Sequence, residues 1–155
     1  MQEKLENDPL LCRDLTENME EISEYVMFNL HAEFFYNTSP SEEEIAFQKK
    51  CEKMERLDTE AYGVPIDEQT KHTWKSAVKE AAKIEEVQTP RAKLQQLGKA
   101  IEIIQHTFEL YKEEQVCADD LVQVMPYILV KARIQRLLAH FNYIDAFHFS
   151  TNDGD

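Results

Sequence analysis

Apolar residues recur every three or four positions along most of the chain, a spacing that places them on one face of an α-helix. Between Leu10 and Phe35 the stripe consists of Leu15, Met19, Ile22, Val26, Leu30 and Phe34. A more regular stripe consists of Leu94, Leu97, Ile101, Ile104, Phe108 and Tyr111. It follows Thr89 and Pro90, which are typical of a helix start because the hydroxyl caps free amides and proline fits the first helical position. No segment shows a convincing strand alternation, so the pattern predicts an all-α fold.

A further helix is predicted to begin within the polar stretch YNTSPSEEE. Ser39 can cap this helix, Pro40 fits its first position, and Glu42 stands three residues after the serine, as a capping box requires. The residues expected to face the core are Ile45, Cys51, Met54 and Leu57, with Phe47 near the edge of the stripe.

Two more helices complete the predicted domain around a central apolar segment. A helix from about Glu68 to Val87 would bury Trp74, Val78 and Ala81. A last helix would bury Ile134, Leu137, Leu138, Phe141, Ile144 and Phe147. We expect six or seven helices, layered around the central one, in a single domain over residues 10–149. The polar end of the chain, residues 150–155, is expected to be a disordered tail.

Composition and charge narrow the classes of partner. The chain has 155 residues, 43% of them hydrophobic and only three of them glycine, which suits one helical domain. The net charge of −13 repels nucleic acid and anionic lipid and favours a protein partner. No run of eighteen apolar residues occurs, so direct membrane insertion is not expected. Cys12, Cys51 and Cys117 are odd in number and widely spaced, which indicates reduced thiols in a cytoplasmic protein.

The usual enzyme and metal motifs are absent from the sequence. It contains no HExxH motif, no Glu-x-x-His pair and no glycine-rich phosphate loop, and its five histidines do not cluster. Glu102 and His106 are four residues apart, but a single such pair is more typical of a surface contact than of a metal site. We therefore expect neither a metal nor a cofactor.

The segment CADDLVQVMPYILVKA, residues 117–132, joins two aspartates to a nearly continuous apolar run. Either Asp119 or Asp120 can cap the helix that follows, where a carboxylate accepts hydrogen bonds from free amides. Capping explains one aspartate but does not require two. Because the helix behind is apolar nearly all round, we expect it at the domain centre with only its first turn reaching water. A rigid carboxylate there suits insertion into a partner's pocket.

These residues resemble the signature of the vacuolar protein sorting nine (Vps-nine) domain family, Ala-Asp-Asp/Glu-Phe-Leu-Pro-Val-Leu-Ile-Tyr-Val-x-x-Lys-Ala. The matching positions are Ala118, Asp119, Asp120, Tyr127, Lys131 and Ala132. Three other stretches also resemble family motifs: EYVMFNL from Glu24, TPRAKL from Thr89, and NYIDAF ending at Phe147. The resemblance spans about Ser23 to Phe149. The pairing of CADDL with FHFS is similar to the branch whose members carry ankyrin repeats.

The resemblance implies a guanine-nucleotide exchange factor for an early-endosomal Rab GTPase. Such a protein would be cytoplasmic and recruited to endosomal membranes. In the family an acid enters the GTPase nucleotide site, and Asp119 occupies that position here. It would pair with the P-loop lysine, repel the phosphates and weaken Mg²⁺ binding. Asp120, Gln123 and His140 fall at positions expected to contact the GTPase, and Asp120 also suits capping.

Several positions depart from the family pattern. Gln123 replaces a proline, Pro126 replaces isoleucine or leucine, and His140 replaces an asparagine. Inside a helix Pro126 should remove one hydrogen bond and kink the axis, and a lone histidine such as His140 is more often a structural residue than a working one. The family's downstream Gly-Tyr-x-x-Thr helix does not follow Phe147.

Two other functions stay open at this point. A non-catalytic adaptor would bind a Rab or a trafficking complex without driving exchange, and Gln123 together with the missing tyrosine helix favours it. A purely structural helical domain would use both aspartates as caps. The sequence leaves the identity of the Rab and the oligomeric state undetermined.

Overall fold

The computed structural model describes residues 9–64, 70–112 and 117–147. These ranges contain six α-helices and no strand, so the all-α prediction is confirmed. The helices are α1 (Pro9–Ala32), α2 (Glu42–Glu55), α3 (Lys71–Ala82), α4 (Pro90–Lys112), α5 (Ala118–Lys131) and α6 (Leu137–Phe147). A π-helical turn (Glu33–Asn37) and two 3₁₀ turns (Thr59–Tyr62 and Lys83–Glu85) lie between them. The predicted tail at 150–155 falls outside the described residues.

The chain divides into two compact units, Met1–Ser39 and Pro40–Asp155. The described part of the first unit consists of α1 and the π-helical turn, where the rings of His31 and Phe35 stack at 4.5 Å. The predicted stripe does lie on helical residues, but none of its described side chains is buried. Its described members are exposed: Met19, Ile22, Val26, Leu30 and Phe34. The spacing predicted the helix correctly, but periodicity alone does not say what covers a face.

In the second unit, a first cluster of buried side chains lies where α3, α4 and α5 meet. The Trp74 and Phe108 rings pack edge to face at 5.6 Å, and Ala77, Ala81 and Ile104 are fully buried beside them. Buried side chains of α5 complete this cluster. The predicted burial of Trp74 and Ala81 is confirmed, although α3 is shorter than the predicted helix and ends in a 3₁₀ turn.

A second cluster joins the 3₁₀ turn after α3 to α4, α6 and the turn before α6. Its buried members are Ile84, Leu97, Ile134, Leu137 and Ile144. From α2, Phe47 and Cys51 pack against it, whereas Ile45 and Leu57 are exposed. The core face of α2 is therefore rotated from the predicted stripe, and Phe47 belongs to that face rather than to its edge.

The start of α2 also differs from the prediction. Ser41, not Ser39, is the N-cap: its hydroxyl accepts from the Glu44 amide at 3.1 Å, and the Glu44 carboxylate accepts from the Ser41 amide at 3.0 Å. Both serines have a glutamate three residues later, and only Ser39 is followed by a proline, so the local signals did not favour Ser41. Glu44 also pairs with Arg136 at 3.0 Å, and this tertiary contact favours the observed register. The predicted cap at Thr89 is confirmed by a 3.3 Å hydrogen bond from the Ala92 amide.

None of the helices in the described ranges combines the length and the apolar character needed to cross a membrane.

Candidate functional site

The second aspartate of the pair holds the start of α5. Cys117 is the extended N-cap residue, and the Asp120 carboxylate accepts a hydrogen bond from its backbone N–H at 3.1 Å. The Cys117 thiol lies 3.1 Å from the same oxygen. Asp120 is half-buried in this arrangement. Its carboxylate therefore satisfies an amide that the helix itself cannot pair, and it carries negative charge at the positive end of the helix dipole.

The first aspartate is left available. Asp119 is exposed, and within the described residues no hydrogen bond or ion pair engages its carboxylate. It stands in the first turn of α5, whose backbone is fixed by the Asp120 cap and by core packing further along. The result is an acid on a packed helix, with no charge partner among the described residues.

An exposed stripe continues from Asp119 along α5. Its members are Asp119, Val122, Gln123 and Pro126, which follow the three- and four-residue spacing of one helix face. Val122 is 71% exposed, while Val124 and Ile128 on the other side are completely buried. The expectation that only the first turn reaches water is therefore wrong. The sequence carried one signal for this face, because Gln123 is the single non-aromatic polar side chain between Asp120 and Lys131.

Pro126 lies inside α5 and on this exposed side. Proline has no N–H, so the Val122 carbonyl has no donor at the residue where an α-helix would provide one. The helix nevertheless runs continuously to Lys131. Exposure makes the proline tolerable, because water can reach the carbonyl that it leaves unpaired.

His140 does not share the exposed stripe. Its side chain, on α6, is only 4% exposed, and its amide donates to the Arg136 carbonyl at 3.2 Å. The structure thus groups Asp119, Asp120 and Gln123 in the first two turns of α5 and places His140 in the interior. A GTPase contact through the His140 side chain stays a prediction, and its burial favours the packing role.

Two other residues of the α5 motif hold neighbouring elements in place. Lys131 Nζ donates to the carbonyls of Glu55 at 2.6 Å and Leu57 at 3.3 Å, and so it caps the C-terminal end of α2. The Tyr127 ring packs edge to face with Tyr62 at 5.5 Å. Burial raises the pKa of the Tyr127 hydroxyl. These contacts fix α5 against the segment that follows α2.

The lysine of TPRAKL is also structural. Lys93 is completely buried, and its ammonium donates to the carbonyls of Ile84 at 2.9 Å and Val87 at 2.5 Å. Burial lowers the pKa of Lys93 to about 8, against the opposing effect of the negative charge on Glu85. Lys93 therefore closes the connection between α3 and α4.

The turn between α5 and α6 contains two arginines that the sequence did not single out. Arg133 and Arg136 have φ values of 54° and 50°, in the left-handed region that residues with a side chain rarely adopt. Arg136 pairs with Glu44, at the start of α2, through two contacts of 3.0 and 3.3 Å. Arg133 Nε donates to Glu55, at the end of α2, at 2.7 Å. The turn is thus tied to both ends of α2.

Two further features of the described residues bear on a ligand. No group of three or more His, Cys, Asp or Glu side chains there could hold a metal ion. A cleft of about 300 Å³ lies between α2 and the end of α5, and its lining includes Gln48, Cys51 and Leu129. Leu129 is ten residues beyond Asp119, roughly 15 Å along the helix axis, so this cleft is separate from the exposed acid.

The fold and the acid together describe a helical domain with an exposed carboxylate in the first turn of α5, a helix packed into the core. Residues 74–154, just over half of the chain, match the family model described as the Vacuolar sorting protein 9 (VPS9) domain. The chain belongs to the VPS9 domain family. This confirms the family resemblance seen in the sequence, while the ankyrin-repeat branch stays a prediction.

Individual relatives agree with this assignment. The chain is 27% identical over 134 residues to the proteins named Rab5 GDP/GTP exchange factor of Bos taurus and of Homo sapiens. That alignment covers 83% of this chain and 27% of each relative. A 35% identity over 83 residues links it to the GTPase-activating protein and VPS9 domain-containing protein 1 of Bos taurus, covering 53% of this chain and 6% of that protein. The chain therefore spans about a quarter of the length of the exchange factors it matches.

Proposed function

We propose that this chain is a guanine-nucleotide exchange domain for a Rab-type small GTPase of the early endosome, with Asp119 as the acid that enters the nucleotide site. Membership of the VPS9 family and the likeness to proteins named Rab5 GDP/GTP exchange factor support the class of reaction. The single observation that carries the role of Asp119 is the division of labour at the start of α5. Asp120 makes the capping hydrogen bond, and Asp119 is exposed without a partner in the described residues.

The chemistry of exchange follows from charge. A Mg²⁺ ion, the P-loop lysine and backbone amides hold GDP through its phosphates. A carboxylate that enters this site competes with the phosphates for the lysine and repels them, which weakens the metal site as well. GDP then leaves faster because its counter-charges are engaged elsewhere. For this step Asp119 must be exposed and held on a rigid backbone, and the structure of α5 supports both requirements.

The rest of the exposed stripe is proposed to contact the GTPase surface around the nucleotide. Gln123 lies one turn beyond Asp119 on the same face, where an incoming surface would meet it. Asp120 acts mainly through the capping contact that fixes Asp119. The net charge of −13 favours a partner with a basic rim and makes the association sensitive to salt. We also propose that the chain is recruited to endosomal membranes, in keeping with its likeness to proteins named Rab5 GDP/GTP exchange factor.

A non-catalytic adaptor is the second candidate function. The observation that favours it is Gln123, an exposed amide at a position where the family pattern has proline. An adaptor would recognise the same GTPase through this face but would not expel its nucleotide. Asp119 would then contribute charge complementarity rather than exchange.

The nucleotide dependence of binding separates these functions. An exchange factor binds the nucleotide-free GTPase most tightly, because the free energy that expels GDP reappears as affinity for the empty form. We expect the chain to bind nucleotide-free Rab5 at least tenfold more tightly than Rab5 loaded with GDP or with a non-hydrolysable GTP analogue, measured by calorimetry or biolayer interferometry. A preference for the GTP-loaded form would support the adaptor, and binding to none of the three forms would contradict both functions.

A further inference from the structure

Pro126 is placed where it changes the chemistry of the exposed face of α5. It is the ninth residue of a fourteen-residue helix, and both it and Val122 are exposed. The backbone therefore passes through a proline without ending the helix. The carbonyl that loses its hydrogen-bond donor to the proline belongs to the side of the helix that faces away from the core.

The Val122 carbonyl is the group that the proline leaves without its usual donor within the helix. In an uninterrupted α-helix it would accept from the amide of residue 126. Proline has no such amide, and its ring crowds the same carbonyl and pushes it away from the helix axis. Val122 is 71% exposed, so its carbonyl belongs to a residue on the open face of the helix.

The Val122 carbonyl lies close enough to Asp119 along the helix to meet the same partner surface. Val122 and Pro126 follow Asp119 by three and seven residues, roughly 4.5 and 10.5 Å along the helix axis on the same face. A protein surface that receives the Asp119 carboxylate must also lie over the next two turns. The Val122 carbonyl would then be covered, and an acceptor covered without a donor weakens binding.

We propose that Pro126 determines which GTPases this face accepts, by leaving the Val122 carbonyl as a hydrogen-bond acceptor that the partner must match with a donor. This inference rests on the proposed function, because it concerns the surface that meets the GTPase. A GTPase that offers an N–H or O–H opposite Val122 gains a hydrogen bond. One that offers an apolar group or a second acceptor leaves the carbonyl unsatisfied and binds more weakly.

The decisive variant is Pro126→Ala, because its effects on stability and on binding should have opposite signs. Alanine supplies the missing amide and is a far better helix former, so the melting temperature should rise by roughly 5–10 °C. The same amide occupies the Val122 carbonyl. Affinity for the preferred GTPase should therefore fall by about 2- to 12-fold, the range for one hydrogen bond, while affinity for the others changes less. A proline with a purely structural role would leave the order of preference unchanged.

A matched control separates the carbonyl from the proline ring. An ester linkage at position 126, made with the α-hydroxy analogue of alanine, has the alanine side chain but no N–H. If the free carbonyl is what matters, this analogue should recover the affinity that Pro126→Ala loses. If it behaves like Pro126→Ala, the ring and not the carbonyl is responsible, and the inference is wrong.

The measurement is the affinity of the full chain for a panel of nucleotide-free Rab GTPases, with Asp119→Ala included. Weakened and less selective binding by Pro126→Ala, together with its higher melting temperature, would support the inference. If Pro126→Ala keeps the wild-type affinities while Asp119→Ala loses them, the inference is wrong and the proposed function stands. If the wild-type chain binds no GTPase of the panel, the proposed function fails and this inference fails with it.

Discussion

The Asp120 carboxylate lies 3.1 Å from the backbone nitrogen of Cys117 and so caps α5, which leaves its neighbour Asp119 exposed to solvent. Two adjacent residues of the same type thus perform different tasks. One stabilises the first turn of the helix, and the other is presented by it. A single cap would suffice for folding, and the proposed function is what gives the second aspartate a use.

Because Asp120 caps the helix and Asp119 does not, replacing each by alanine should change the free energy of unfolding by different amounts. Asp120→Ala removes the capping acceptor and should lower the free energy of unfolding by about 1 kcal/mol. Asp119→Ala removes only a favourable charge in the first turn and should cost at most a few tenths of a kcal/mol. Denaturant unfolding of both variants measures this difference. Equal destabilisation would show that Asp119 also has a structural role, which would contradict its assignment as the available acid.

The buried amine of Lys93 should make the stability of the protein depend on pH. Its pKa is lowered to about 8 by burial, whereas in the unfolded chain it is near 10.5. Below pH 8 the amine is protonated in both states, and its burial opposes folding. Between pH 8 and 10.5 the unfolded state holds the extra proton, so stability contributed by this residue rises with pH. The neutral amine still has N–H groups for the Ile84 and Val87 carbonyls.

The test compares the wild-type chain with Lys93→Met across this range of pH, because other titrating groups cancel in the difference. The wild-type chain should gain stability relative to the variant by at most about 3 kcal/mol between pH 7.5 and 10.5. At pH 7.5 the variant leaves two carbonyls without their donor. A difference in the free energy of unfolding that does not change with pH would contradict the lowered pKa.

Replacing Arg133 and Arg136, the two arginines with positive φ, by glycine should change stability by different amounts. At Arg133, glycine relieves a positive φ and gives up an ion pair whose arginine side chain is 74% exposed, so stability should stay within about 0.5 kcal/mol of the wild type. At Arg136, glycine relieves a similar φ but breaks a pair whose side chains are 19% and 11% exposed. Arg136→Gly should therefore cost about 1–3 kcal/mol. Thermal unfolding of the two variants is the measurement, and equal costs would contradict this reading of the turn.

The helices with strong local signals could be predicted from the sequence. In α4 a start signal at Thr89 precedes a regular stripe, and both the cap and the buried positions Leu97, Ile104 and Phe108 are as expected. In α2 two capping boxes were possible, and the choice depends on Arg136, which lies 92 residues from Glu44 in sequence. No local pattern contains that contact.

The candidate site could be predicted in part. The position of Asp119 followed from its place before an apolar run and from the family motif. The exposure of Val122 and Pro126 did not, because an apolar side chain on an open face has the same sequence signal as one in a core. Lys93 illustrates the same limit, since the motif marks the residue but its partners are backbone carbonyls of a turn that only the fold brings near.

The most direct test of the central claim is the release of fluorescent GDP from Rab5 in the presence of the chain, of Asp119→Ala and of Asp145→Ala. Asp145 is an exposed acid on α6 and serves as the control for the loss of one negative charge. The proposed function predicts that the wild-type chain and Asp145→Ala accelerate release. Asp119→Ala should lose at least about tenfold of this acceleration, equivalent to about 1.4 kcal/mol of transition-state stabilisation. Equal acceleration by all three proteins would contradict the role of Asp119.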